Sequence, residues 1–237
     1  MSPIIIAGGD EAGRGAVIGP LVVSVICIGK AKEKRLSTIG VRDSKLLTKR
    51  KRAFLFEEIR SLSEEMKTYK ITNEEINTAM RSGISINQLE AMHFARLMDE
   101  MTHEIDRAYI DSPDVIAERF GMRISLFAKK PMRVVGVKGG SREGKRIKII
   151  SEHKADIKYP VVSAASIIAK VTRDAEMEKI EDEVGLSLGS GYPGDKETVA
   201  TIKGNLRNNV LSPYIREYWK TLENIRQRKI GEFPEFE

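Results

Sequence analysis

Ile4-Ile5-Ile6-Ala7-Gly8-Gly9-Asp10-Glu11-Ala12-Gly13-Arg14-Gly15 opens the chain, and Leu21-Val22-Val23-Ser24-Val25-Ile26-Cys27-Ile28 follows closely. Two apolar, β-branched runs thus flank a glycine-rich stretch, Gly8 to Gly19, that holds two acids and an arginine. Short apolar runs bounded by glycine read as buried strands. The pattern predicts strands at Ile4–Ala7 and Leu21–Ile28 joined by an unusual loop. Asp10-Glu11 then closes the first strand. Adjacent carboxylates repel one another, and a sheet's end is an odd place for them unless a cation neutralises both.

Downstream the elements alternate. Residues 48–65 are helical in composition, with Thr48 as N-cap before a Lys/Arg-rich first turn. Thr68-Tyr69-Lys70-Ile71 reads as a third strand, and Thr72 or Asn73 caps a helix from Glu74 to Arg81. Ile86, Leu89, Met92, Phe94, Ala95, Leu97, Met98 and Met101 keep a 3.6-residue period, so 86–104 is a core-facing helix in which methionine acts as filler. Ala108-Tyr109-Ile110-Asp111 is a strand cut off by Ser112-Pro113. Arg133–Val137 and Ile147–Ile150 are further strands, separated by Gly139-Gly140-Ser141. Pro160 opens a long helix reaching Glu183, with Ala164, Ala165 and Ala169 favouring its interior. A loop over Gly189–Gly194 follows, then short helices broken at Asn208-Asn209 and Ser212-Pro213. Strands interspersed with helices predict an α/β domain over residues 1–194, carrying a helical C-terminal extension over 195–237.

Composition bounds the function. The 237 residues are 41% apolar, 31% charged and 6% aromatic, the profile of a soluble globular protein. One cysteine, Cys27, excludes an intrachain disulfide framework, and three histidines disfavour a multi-His metal centre. No long apolar run or signal-like start is present, so an intracellular, cytoplasmic protein without a membrane span is expected. The net charge of +6 is uneven: residues 30–52 carry +8 and 129–158 carry +7, while 53–128 carry −6. Two basic blocks separated by an acidic one suit a surface that meets polyanions.

Four acids stand where regular elements start or stop. Besides Asp10 and Glu11, Asp111 closes the strand from Ala108, and Asp156 precedes the helix-opening Pro160 by four residues. Each alone is a turn-former or helix cap. Together, beside glycine loops at strand ends, they offer only hard oxygen ligands, suited to Mg²⁺ or Mn²⁺. Rival motifs fail: Gly8 to Gly15 lacks the Lys-Ser/Thr of a phosphate-binding loop, and Asp-Glu-Ala fills positions a dinucleotide fingerprint needs open. No Gly-x-Ser-x-Gly elbow supports a serine triad.

At this point the residues resemble a known family, type 2 ribonuclease H (ribonuclease HII) in its archaeal branch. The matching motifs are Ala7 to Gly15 with Gly19-Pro20-Leu21-Val22; Asp43-Ser44-Lys45-Leu46-Leu47; Tyr109-Ile110-Asp111-Ser112; His153-Lys154-Ala155-Asp156 running through Tyr159-Pro160 to Asp174; and Gly191-Tyr192-Pro193. The resemblance implies a ribonuclease H-like mixed sheet flanked by helices, with a helical C-terminal lobe. It implies endonucleolytic hydrolysis of the RNA strand of RNA–DNA hybrids and cutting at ribonucleotides embedded in duplex DNA. Asp10, Glu11, Asp111 and Asp156 take the family's catalytic, metal-binding roles, with two Mg²⁺ or Mn²⁺ ions per site. Gly13-Arg14-Gly15 matches the loop that contacts the ribose 2′-hydroxyl through backbone groups. Tyr192 matches the tyrosine packed on the next deoxyribose, while Lys45, Ser163, Ser166, Lys170 and Arg173 match polar groups near the phosphates.

Elementary chemistry agrees with those roles. Phosphodiester hydrolysis needs an activated water and a stabilised leaving oxygen, which two ions about 3.5–4 Å apart supply. Glycine lets backbone approach a sugar, and the 2′-hydroxyl, donor and acceptor at once, separates RNA from DNA. Two rivals remain in view: a related DNA nuclease, against which the ribose-reading residues argue, and a non-catalytic hybrid-binding module, which has no need of four acids. Gln227, Ile230 and Phe233 resemble a sliding-clamp-binding motif, although Pro234 stands where a second aromatic belongs and Phe236 lies beyond it. A monomer is expected.

Overall fold

The computed structural model describes residues 3–41, 47–137, 146–206 and 209–230, with side chains described as far as Ile225 in the last helix. The predicted Asp43-Ser44-Lys45 motif, Gly139-Gly140-Ser141 and Phe233 lie outside the described residues. Strand β1 runs Ile5–Ala12, so it continues through Gly8-Gly9-Asp10-Glu11 instead of ending at Ala7. It pairs antiparallel with β2 (Leu21–Gly29) along its whole length, from Ile5 opposite Gly29 to Ala12 opposite Val22. Glycine normally weakens a strand, and here close approach demands it. A β-carbon on Gly8 would stand 2.3 Å from the carbonyl oxygen of Val161, in the helix Pro160–Val184. One on Gly9 would stand 3.0 Å from Cε1 of Phe94, in the helix Ile86–Glu100, and 2.6 Å from Ile110 Cδ1. Successive strand residues face opposite sides of a sheet. Helices therefore press on β1 from both faces.

Four more strands complete the sheet: β3 (Glu65–Ile71), β4 (Arg107–Asp111), β5 (Met132–Val134) and β6 (Ile147–Glu152). The order is β3-β2-β1-β4-β6-β5, with β1–β4, β4–β6 and β5–β6 parallel. The sheet is mixed, as expected. Because β5 and β6 run parallel, they are not the two arms of a tight hairpin.

Helix α1 (Glu33–Ile39) follows β2, and α2 (Lys49–Leu62) is capped by the Thr48 side chain as predicted. In α3 (Asn73–Arg81) Thr72 and Glu75 form a reciprocal capping box. Helix α4 (Ile86–Glu100) stops at Met101, short of the predicted 104, where the backbone turns extended. A helix the sequence pattern did not suggest, α5 (Ala117–Phe127), begins after Ile116, which offers no capping side chain. The short α6 (Ala155–Lys158) leads into α7 (Pro160–Val184). Then come α8 (Lys196–Asn205), a 3₁₀ segment (Asn209–Tyr214) and α9 (Lys220–Ile230). The 3₁₀ segment runs through Ser212-Pro213 rather than breaking there, since proline's fixed φ suits that helix.

The chain divides into two compact units. The first comprises residues 1–12, 22–69 and 85–172 and holds the sheet. Its core joins Ile6, Ile26 and Ile28 to Leu55 and Ile59 of α2 and to Val161, Ala165 and Ile168 of α7. Phe94 of α4 meets Phe120 of α5 edge-on, with ring centres 5.8 Å apart. Each fully buried large apolar side chain contributes about 1.5–3 kcal/mol. The second unit comprises residues 13–21, 70–84 and 173–237. Val17 and Ile18 pack there with Met177 and Ile180 of α7, Ile202 of α8 and Leu222 and Ile225 of α9.

Candidate active site

The parallel register pairing Gly9 with Ile110 brings Asp111, the last residue of β4, beside Asp10 of β1. Asp10 is only 5% exposed. Its carboxyl is held well above the usual carboxylate range, first by burial, then by the charges of Glu11 and Asp111. Hydrogen bonds from Ser166 and from the Glu11 N–H, at 2.8 Å, act in the opposite sense. Asp10 and Glu11 thus lie inside the strand rather than at its end, because the ladder with β2 continues to Ala12.

The remaining polar groups of this unit gather on α6 and α7. The Ala155 N–H donates to Asp111 Oδ1 at 2.7 Å and fixes that carboxylate. Lys154, just before it, has φ +56°, the one non-glycine residue in the left-handed region among the described residues. Asp156 sits in the first turn of α6, and its backbone carbonyl accepts from Ser163 Oγ. Lys170 Nζ donates to Ser166 Oγ at 2.9 Å, extending the network that ends on Asp10. His153 Nε2 donates to the Asp114 carbonyl at 2.7 Å and ties the segment after Asp111 to the one before Asp156.

Among the described residues no three His, Cys, Asp or Glu side chains are gathered closely enough to hold an ion as they stand. The donor set nevertheless fits a hard divalent cation. Asp10 is buried in the field of two like charges, and a cation at that point would relieve all three. No nitrogen or sulfur donor accompanies the carboxylates in that coupling, which disfavours zinc or copper.

A second group of predicted residues lies in the other unit. Gly13, with φ +90°, donates its N–H to the Tyr192 hydroxyl at 3.1 Å. Arg173 lies beneath the Tyr192 ring at 5.0 Å and donates through Nη2 to the Ser190 carbonyl at 3.0 Å. This guanidinium is 5% exposed, and burial lowers its pKa against the opposing pull of Tyr192 and Asp174. A β-carbon on Gly13 would come within 2.3 Å of Arg173 Nε, so both its φ and its surroundings require glycine. Gly191 accepts from the backbone N–H groups of Val17 and Ile18, at 2.8 and 3.2 Å, and joins the tyrosine's loop to the Gly13–Leu21 segment. One contributor escaped the sequence reading: Arg216, fully buried, whose guanidinium bonds Arg14 and Gly19. A lone arginine in a C-terminal helical stretch carries no pattern that would single it out.

A mixed sheet covered by helices on both faces, with acids side by side on two adjacent parallel strands, defines a ribonuclease H-like α/β enzyme. The model of the family described as Ribonuclease HII matches residues 7–222. A ribonuclease HII of Pyrococcus furiosus is 40% identical over 223 residues, covering 94% of this chain and 91% of that protein. Among solved structures, the ribonuclease H2 of Pyrococcus horikoshii OT3 superposes with a TM-score of 0.81 at 38% identity, covering 95% of this chain and 98% of the other. The chain of the PCNA:RNase HII complex from Archaeoglobus fulgidus gives 0.76 at 36% identity, covering 92% and 96%. The chain belongs to the ribonuclease HII family. It is an endoribonuclease of the ribonuclease H type, dependent on divalent metal.

Proposed function

We propose that this enzyme hydrolyses the RNA strand of RNA–DNA hybrids and cuts at single ribonucleotides embedded in duplex DNA. In this reading Asp10, Glu11, Asp111 and Asp156 hold two Mg²⁺ or Mn²⁺ ions. When bound, the ions supply positive charge that activates the attacking water and stabilises the leaving 3′-oxygen. The observation that carries the reading is the placement of Asp10, buried next to Glu11 and beside Asp111 of the adjacent parallel strand, where burial and both neighbouring charges raise its pKa. Ser166 orients Asp10, the Ala155 N–H orients Asp111, and Lys170 donates to Ser166 and is assigned to the phosphate side of the site. A module that merely binds hybrids gains nothing from buried, mutually repelling carboxylates, which would also repel the phosphate.

Selection of the ribose is assigned to Gly13, Arg14, Gly15 and Tyr192. The Gly13 N–H is bonded to the Tyr192 hydroxyl, so a ribose hydroxyl would compete for that amide. The ring face of Tyr192 would rest on the next deoxyribose, where a further hydroxyl has no room. Lys45, Ser163 and Arg173 complete the proposed polar surroundings of the phosphates, Arg173 by holding the tyrosine ring from below.

The decisive assay uses DNA duplexes with zero, one or several ribonucleotides, incubated with Mg²⁺, Mn²⁺ or EDTA, and maps each cut. Cleavage next to ribonucleotides with either ion, none in EDTA and none of the all-DNA duplex are expected. Metal-independent cutting, or cutting of all-DNA duplex, would overturn the reading. The helical extension from residue 195 is assigned a partner: a sliding clamp bound through Gln227, Ile230 and Phe233, as the Archaeoglobus fulgidus relative was solved with PCNA. Gln227 and Ile230 belong to α9. Deleting residues 227–237 should abolish clamp binding in titration calorimetry and leave cleavage of a short duplex intact; no binding by the full chain at tens of micromolar would refute the assignment.

A further inference from the structure

The ribose-reading segment is a turn whose shape its own residues do not enforce. The Ala16 N–H donates to the Gly13 carbonyl at 3.2 Å, closing a β-turn with Arg14 and Gly15 at its centre. The peptide between two such residues can take either of two orientations, related by a half-rotation. One has negative φ at the third residue, the other φ near about +80°, and glycine accepts the second with little cost. Gly13 and Gly19 have positive φ, and Gly15 does not. The turn therefore holds the orientation that Gly15 is free to leave.

Arg216 supplies the constraint. Its Nη1 donates to the Arg14 carbonyl at 2.8 Å, while Nε and Nη2 donate to the Gly19 carbonyl at 3.2 and 2.9 Å. Its backbone N–H donates to the Val17 carbonyl at 3.0 Å, and its guanidinium lies 5.0 Å over the Trp219 ring. The side chain is entirely buried. A planar, rigid fork of donors thus pins two carbonyls of one loop at once, which a lysine's single ammonium cannot do in the same way. A trans peptide is planar, with C=O and N–H pointing in opposite directions. An Arg14 carbonyl turned inward to Arg216 sends the Gly15 N–H outward, on a residue that is exposed. A charge-assisted bond at the carbonyl also polarises that same peptide and strengthens its N–H as a donor.

We propose that Arg216 is a positioning residue for ribose selection: it locks the Arg14–Gly15 peptide so that its N–H is presented to the 2′-hydroxyl. This rests on the reading of Gly13-Arg14-Gly15 as the ribose-reading turn. The test measures binding of the full chain in EDTA, by fluorescence anisotropy, to a duplex with one ribonucleotide and to the same duplex in all-DNA form. The wild-type chain should prefer the first. R216K should lower that preference about three- to tenfold, the worth of one hydrogen bond, while binding all-DNA duplex within about twofold of wild type. A folded R216K that keeps the preference, or that weakens on both duplexes alike, overturns the assignment. If the wild-type chain itself shows no preference, the ribose-reading role of the turn falls, and this inference with it. A second arm needs no variant. In nuclear magnetic resonance spectra of the wild-type chain, the cross-peak between Arg14 Hα and the Gly15 amide should be weak, as the unflipped peptide requires. A strong cross-peak would mean that the peptide is flipped and that Arg216 does not hold it.

Discussion

Gly8→Ala is a one-carbon change whose consequence is set by the backbone of α7. The new β-carbon would lie 2.3 Å from the Val161 oxygen, 2.4 Å from the Val161 carbonyl carbon and 2.7 Å from the Val162 nitrogen. Ordinary contact begins near 3.4 Å, so strand or helix must retreat by about 1 Å. No side chain can swing aside, because all three obstacles are main-chain atoms. Overpacking a core costs typically about 1–3 kcal/mol and sometimes more, and this case belongs at the top of that range. For a chain of this size each kcal/mol moves the melting temperature by roughly 2–4 °C, which gives a loss of about 6–12 °C. Two further glycines separate crowding from backbone strain. Gly83→Ala meets no atom within 4 Å but has φ +78°, so strain alone costs about 1 kcal/mol. Gly194 has open space and no positive φ, so Gly194→Ala should be neutral or slightly stabilising. Scanning calorimetry on the three variants should rank Gly8→Ala lowest by a clear margin. A Gly8→Ala protein melting within about 2 °C of wild type would refute the argument that α7 is pressed against β1.

Other outcomes follow from the same geometry. Asp10→Asn should abolish cleavage yet raise the melting temperature in EDTA at neutral pH, since it removes a charge that the folded state disfavours. Because the folded carboxyl holds its proton more tightly than the unfolded one, wild-type stability from this group should fall as pH rises from about 4 through the folded pKa; a pH series of melting curves that is flat for wild type, or equal for the variant, would contradict this. Thr72→Ala removes the acceptor of the Glu75 N–H, a 3.1 Å bond, and should cost about 1 kcal/mol in chemical denaturation, with Thr72→Ser restoring most of it. Lys154→Gly keeps the φ +56° conformation at no steric cost and should retain activity. Lys154→Val should lose about 1–2 kcal/mol and much of the cleavage rate, because the Ala155 N–H would no longer hold Asp111.

The sequence showed the acids more clearly than it showed the elements carrying them. Asp10 and Glu11 stand out as an adjacent charged pair after an apolar run, and a burial-strained carboxylate is what the folded chain contains. Their place within β1 was hidden because glycine disfavours strands; Gly8 and Gly9 are there to admit α7, Phe94 and Ile110, contacts no local pattern records. Helices announced by capping chemistry, α2 at Thr48 and α3 at Thr72, were legible at their starts to within a residue, whereas α2 ends at Leu62, three residues short of the predicted 65. Helix α5 was not, since its N-cap position holds Ile116, without a capping side chain. Arg216 belongs to a third category. Its partners are main-chain carbonyls about two hundred residues away in sequence, and only the folded chain brings them to it.

The interleaving of the two compact units bears on how such an enzyme can be cut, swapped or rebuilt. The chain passes between them five times, at residues 12/13, 21/22, 69/70, 84/85 and 172/173. The last passage falls inside the unbroken α7. Neither unit is therefore a cassette: excising residues 173–237 would sever a helix in mid-course and leave behind Gly13–Leu21 and Lys70–Ile84, stripped of the residues they pack against. Shuffling between relatives should succeed only when all three stretches of a unit travel together, and proteolytic nicking should yield fragments that stay associated rather than a trimmed, self-standing half.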